Sequence, residues 1–188
     1  DTNNNDRGHI LFSGHTLATV SNAFLIDLGR TTIDVIDNTE FGITGNPTTI
    51  GSNQNNRHAL QARYVQNAFF FKGNAIINPN RFGILNNKGT GIISGNSVVG
   101  AAGSAIATAS GVETGLIVNN LVVGTKEAVS ESEIDSRFTD SEGDDIGADG
   151  SAFWFRGPLL KVESNIAAGY LPGGSYVYNT DPDFITDN

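Results

Sequence analysis

The chain has 188 residues, no cysteine, no methionine and a formal net charge of −9. Disulfides, thiolate metal sites and cysteine nucleophiles are therefore excluded, and the charge disfavours nucleic acid and anionic membrane, both of which are gripped by cations. The length fits one domain, no run approaches the roughly 18 apolar residues of a membrane span, and a chain opening at Asp1 without Met is expected to have lost a leader or to be a piece of something longer.

Residues 1–8 are polar and read as a loop or linker. Three strand-like runs follow at 9–12, 17–20 and 23–26, spaced as the three sides of one rung. Residues 29–57 break that rhythm with Asp34, Asp37, Glu40, Gly45-Asn46-Pro47 and an Asn-rich stretch, so they read as an inserted loop, a place where function tends to sit. Rungs resume at Leu60 and continue to Gly124.

Within that stretch the chain nearly repeats itself: Gly73-Asn74-Ala75-Ile76-Ile77, Gly95-Asn96-Ser97-Val98-Val99 and Asn119-Asn120-Leu121-Val122-Val123, with a further copy at Ser164-Asn165-Ile166-Ala167-Ala168. The asparagine at the second position of each copy recurs after 22, 24 and 45 residues, the last being about two periods. A period of that size, filled with short β-branched runs between Gly, Asn, Ser and Thr, predicts a parallel β-helix of about 22 residues per rung and six to eight rungs. Inward side chains should stack into aliphatic ladders, corners should fall on residues that accept a left-handed backbone, and the recurrent Asn should bond to itself from rung to rung. A second insertion is expected at 125–150, rich in carboxylates. Apolar runs return at 152–162, and 171–188 lose the period, reading as a cap or a broken connection.

The histidines are His9, His15 and His58. His58 follows Arg57 and precedes Arg63 beside the first insertion, a grouping that suits a carboxylated sugar with arginine on the carboxylate, so His58, Arg57 and Arg63 are the catalytic candidates. Asp140, Glu142, Asp144, Asp145 and Asp149 supply the hard oxygens that Ca²⁺ prefers, although the EF-hand spacing is absent. Alternation in Phe153-Trp154-Phe155 sends rings to both faces of a strand; Trp154, Phe155 and Tyr64 are the candidates for stacking on sugar. No phosphate-binding glycine loop, Ser-His-Asp spacing or His-rich metal pattern is present.

Several islands, in order, resemble the β-helix segment of an extracellular family. It includes the cell-migration-inducing hyaluronan-binding protein, the transmembrane hyaluronidase, fibrocystin-like proteins and bacterial surface proteins. The islands are Arg7-Gly8-His9, Asp27-Leu28-Gly29-Arg30-Thr31, Asn56-Arg57-His58-Ala59-Leu60, Gly111-Val112-Glu113-Thr114-Gly115, the stretch from Asp149 to Trp154, and the stretch from Asn165 to Gly169. The resemblance implies a right-handed coil, secreted or displayed at a cell surface, in a family with hyaluronan-binding or depolymerising members. Where that family continues with His-Phe-His, this chain has Gln61-Ala62-Arg63, which argues against catalysis. The expectation is a surface or matrix module contacting glycans or proteins, with a polysaccharide depolymerase as the alternative and an end-to-end stacking unit of a fibre or layer as a third reading.

Overall fold

The computed structural model describes residues 7–32, 37–126, 147 and 150–169, and the strand at 176–179. Five times the chain passes through three short strands in one order. The first turn is β1 (Ile10–Gly14), β2 (Thr19–Ser21) and β3 (Phe24–Ile26); an antiparallel pair, β4 (Glu40–Phe41) and β5 (Pro47–Thr49), follows inside the first insertion. The second turn is β6 (Leu60–Val65), β7 (Phe69–Lys72) and β8 (Ala75–Ile77), and the third is β9 (Ile84–Asn87), β10 (Thr90–Ser94) and β11 (Ser97–Val99). The fourth is β12 (Ile106–Thr108), β13 (Thr114–Val118) and β14 (Leu121–Val123), the fifth β15 (Phe153–Arg156), β16 (Leu160–Glu163) and β17 (Ile166–Ala168), and β18 (Tyr176–Asn179) comes last.

First strands pair only with first strands, giving a parallel sheet in the order β1-β6-β9-β12-β15-β18. Second strands form β16-β13-β10-β7-β2, and third strands β17-β14-β11-β8-β3. The described chain is all-β, its three parallel sheets aligned turn upon turn as in a solenoid-like stack. Among the described residues there are five turns and one further strand, against the six to eight rungs expected; β1 pairs directly with β6 and β12 with β15, across the two insertions. Residues 176–179, where the sequence loses its period, form the sixth strand of the first sheet.

The interior follows from alternation. Leu25, Ile76, Val98, Val122 and Ala167 form one inward column, and Val20, Phe71, Ile93, Ile117 and Val162 another. Each fully buried Ile or Phe contributes roughly 1.5–3 kcal/mol. Two interior positions demand glycine. A Cβ on Gly91 would sit 2.5 Å from the Phe69 ring, which occupies the space a side chain there would need, and one on Gly115 would sit 2.0 Å from the Gly91 carbonyl oxygen in the neighbouring strand.

Corners are set by backbone handedness. Asn22, Gly73, Gly95, Asn119 and Ser164, one per turn between the second and third strands, all have φ between 53° and 64°. The next residue in turns two to five is the recurrent asparagine, and these four build a continuous ladder. Nδ2 of Asn74 donates to Oδ1 of Asn96, Asn96 to Asn120, and Asn120 to Asn165, each at 2.9 Å. The same Oδ1 atoms accept the backbone N–H of the preceding asparagine at 2.9–3.0 Å. The remaining amide proton goes to a strand carbonyl, as from Asn96 to Phe71. The ladder ends in the first turn, where Ala23 stands in place of Asn and donates its N–H to Asn74.

Candidate functional site

Outward residues of the first sheet decide what a ligand can meet. Gln61, Leu85, Ala107 and Trp154 share one register row and are buried, the last three in a small cluster with Phe82 and Ala109, whereas Leu11 at the start of the row is exposed. From β6 onward the row is covered, and the accessible chemistry lies on its two flanks.

On the flank toward the second sheet, β6 carries a bulge. Ser13 faces Arg63 and Gly14 faces Val65, leaving Tyr64 as the extra residue, with φ of 52°. A bulge bends its strand and re-aims a side chain; a bulky residue with a left-handed backbone costs about 1–2 kcal/mol relative to glycine. The Tyr64 ring stands 47% exposed, with the Arg63 guanidinium 5.2 Å and the Lys88 ammonium 5.3 Å from its centroid. Lys88 is itself left-handed, with φ of 59°. Its N–H donates at 2.9 Å to Oε1 of Glu113, a fully buried carboxylate that also accepts from Ser110 N–H, Ser110 Oγ and Gly111 N–H at 2.6–2.8 Å. Glu113 thus clamps one corner and, through it, the backbone that presents Lys88 to Tyr64.

On the opposite flank, Arg57 Nη1 lies 3.3 Å from His9 Nε2, and Nη2 donates to Gln54 Oε1 at 3.3 Å. The backbone carbonyl of Arg57 accepts from Arg30 and Thr31, and its N–H donates to Thr31 Oγ1, which ties the base of the first insertion to the stack. Partial burial, with Arg57 and Arg30 nearby, lowers the pKa of His9. His58 is 2% exposed, its ring 4.7 Å from that of Phe82, and Nδ1 has no hydrogen-bond partner among the described residues. Burial above all, then Arg81 and His9, holds its pKa well below the ordinary imidazole value, so it is neutral.

The candidate residues are therefore divided. Arg63 and Tyr64 come together; Arg57 and His58 lie across the sheet from them, with His58 shut inside. Phe153 and Phe155 point into the core while Trp154 points outward, as alternation requires. Phe155 is covered in the core, and Trp154, 8% exposed, carries the Arg156 guanidinium 4.9 Å above its ring, so neither offers a bare platform. Asp140, Glu142, Asp144, Asp145 and Asp149 lie outside the described residues, among which no group of three or more His, Cys, Asp or Glu is placed to hold a metal. No described helix is long and apolar enough to cross a membrane.

The sequence reading missed Lys88 and the clamp by Glu113. Both were within reach of the period: Lys88 lies 24 residues after Tyr64, one turn on. The described residues hold ten of the eleven Lys and Arg and five of the twenty Asp and Glu, so most of the carboxylates behind the net charge of −9 lie outside them. Described ion pairs join Arg7 to Asp27 at 3.7 Å and Lys161 to Glu163 at 3.0 Å, which leaves Arg63 and Lys88 unneutralised by any described carboxylate. No family model, curated protein or solved structure matches the chain.

Proposed function

We propose that the protein is a right-handed parallel β-helix module, secreted or displayed at a cell surface, that holds acidic polysaccharide without cleaving it. The carrying observation is the Arg63–Tyr64–Lys88 group: two cations gathered over a half-exposed tyrosine, paired with no described carboxylate, which suits the carboxylate or sulfate of an acidic sugar. The family resemblance of the sequence supports the same ligand class and localisation. Right-handedness accords with the rule for parallel strand crossovers.

Depolymerisation is the second reading. It is favoured by His9, half-buried and unprotonated at neutral pH, which could act as a general base once a substrate displaces the Arg57 guanidinium that donates to its Nε2. His58 does not serve that reading in this conformation, because no substrate atom reaches a buried ring.

Binding to immobilised hyaluronan, chondroitin sulfate, alginate and polygalacturonate, with dextran and duplex DNA as controls, tests the proposal. Expected are capture of the acidic glycans, steep weakening with salt, and loss of about tenfold in affinity for Arg63→Ala or Tyr64→Ala, near 1.4 kcal/mol. Absence of capture at low salt, or equal capture of dextran, sinks it; equal capture of DNA reduces it to an unselective cationic patch. Reducing-end or unsaturated products that vanish in His9→Ala would replace it with the second reading.

A further inference from the structure

The outward face of the third sheet is unlike the other two. Its two columns read Phe24, Ala75, Ser97, Leu121, Ile166 and Ile26, Ile77, Val99, Val123, Ala168. Neither holds a charge, and the face is open: Phe24 is 67% and Ile166 62% exposed. By contrast, the outward row of the first sheet is covered from β6 onward, and that of the second carries Lys72, Lys161 and Glu163. We propose that this face pairs with the same face of a second copy of the chain, offset by one turn.

Side-chain size selects that register. A two-fold axis parallel to the strands, between the third and fourth turns, sets turn two against the partner's turn five and turn three against its turn four. Small then meets large or medium along both columns: Ala75 faces the partner's Ile166, Ser97 the partner's Leu121, Ile77 the partner's Ala168, and Val99 the partner's Val123. Without the offset, Phe24 would meet the partner's Ile166 and Ser97 the partner's Ser97, bulk on bulk and gap on gap.

Charge agrees with the same register. Lys72 and Glu163 end β7 and β16, on the side of the stack that leads into the third sheet, and the axis brings Lys72 toward the partner's Glu163 twice, as a second cation beside the Lys161 that Glu163 already meets at 3.0 Å. A second copy also matches the strand spacing of about 4.8 Å over four successive strands, so the columns stay in step. The overlapped footprint, on the order of 200 Å² per copy, is far below the roughly 800 Å² of a standard interface, so the pairing is weak and transient.

Sedimentation velocity from about 5 μM to about 1 mM should show reversible dimer, with a dissociation constant on the order of 100 μM. Leu121→Lys should abolish the dimer, and Leu116→Lys on the neighbouring sheet should leave it. Near-ultraviolet circular dichroism would check that both variants fold. A monomer throughout, a dimer that survives Leu121→Lys, or one lost equally in Leu116→Lys, overturns the proposal. The register has its own test, because the chain has no cysteine of its own. Ser97→Cys and Leu121→Cys chains, mixed and mildly oxidised, should give more disulfide-linked dimer than either alone; equal yields would overturn the offset.

Discussion

Replacing Asn96 by alanine tests whether the asparagine ladder holds the turns together. The side chain makes four hydrogen bonds in a fully buried setting: Nδ2 to the Phe71 carbonyl and to Asn120 Oδ1, and Oδ1 from the N–H and Nδ2 of Asn74, all at 2.9–3.0 Å. Alanine strands the buried N–H of Asn74, since that donor has no other described partner; Asn74 Nδ2 keeps Val20 and Asn120 Oδ1 keeps the N–H of residue 96. One stranded donor costs about 1–3 kcal/mol and each exchanged bond about 1, so the expected loss is about 3–5 kcal/mol. With a urea slope near 2 kcal/mol/M, the midpoint falls by about 1.5–2.5 M. Asn165→Ala at the half-buried end of the ladder should lose no more than about half of that, because water can replace the amide. Fluorescence of Trp154, the single tryptophan, and far-ultraviolet circular dichroism would follow both variants. A midpoint shift below about 0.5 M for Asn96→Ala would refute the reasoning, because it would mean the ladder bonds are no better than those to water.

Gly115→Ala, with its Cβ driven to 2.0 Å from the Gly91 carbonyl oxygen, should cost more than about 3 kcal/mol in the same urea series. Gly95→Ala, whose Cβ meets nothing nearer than 3.9 Å, should cost only the left-handed strain of about 1–2 kcal/mol. Tyr64→Gly should be more stable than Tyr64→Ala by about 1 kcal/mol, because both lose the ring and only glycine relieves the backbone; both should lose glycan capture. His58 and His9 have folded pKa values below the unfolded value of about 6.5, so the unfolded chain takes up protons first and stability falls as pH drops below that value. His58→Leu should flatten that slope between about pH 6.5 and 5 in urea melts, and an unchanged slope would reject the assignment. Glu113→Gln puts an amide N–H₂ against backbone donors and should cost about 2–4 kcal/mol while weakening glycan capture through Lys88.

The period was legible because its causes are local. The left-handed corner, the ladder asparagine and the aliphatic pair that follows recur together, so the spacings 22, 24 and 45 gave the pairing of Asn74, Asn96, Asn120 and Asn165 before any coordinates. The pairing of Ile84-Leu85 in β9 with Ile106-Ala107 in β12 keeps the same spacing of 22 residues. Burial of His58 was not legible: it depends on Phe82, 24 residues away and one turn on, which lays its ring against the imidazole. The role of Glu113 was hidden for a similar reason, since its partners include the backbone N–H of Lys88 in the neighbouring turn.

The corner between first and second strands shows how a repeat makes room for a site. Positive φ falls there at Gly14, Tyr64, Lys88, Gly111 and Gly157, one in each turn. Three of the five are glycine, the residue that meets the geometry at least cost. At the second and third turns the position is filled by a bulky aromatic and a lysine, neighbours in the stack, whose side chains meet each other and Arg63. Neither is needed to turn the chain, because glycine does so above and below, and together they cost about 2–4 kcal/mol of backbone strain. The ladders and the buried Glu113 hold the backbone of these turns from within, so the corner tolerates that strain. Strain carried by adjacent turns, with two cations gathered over one half-exposed ring, is what the proposed glycan-binding corner requires.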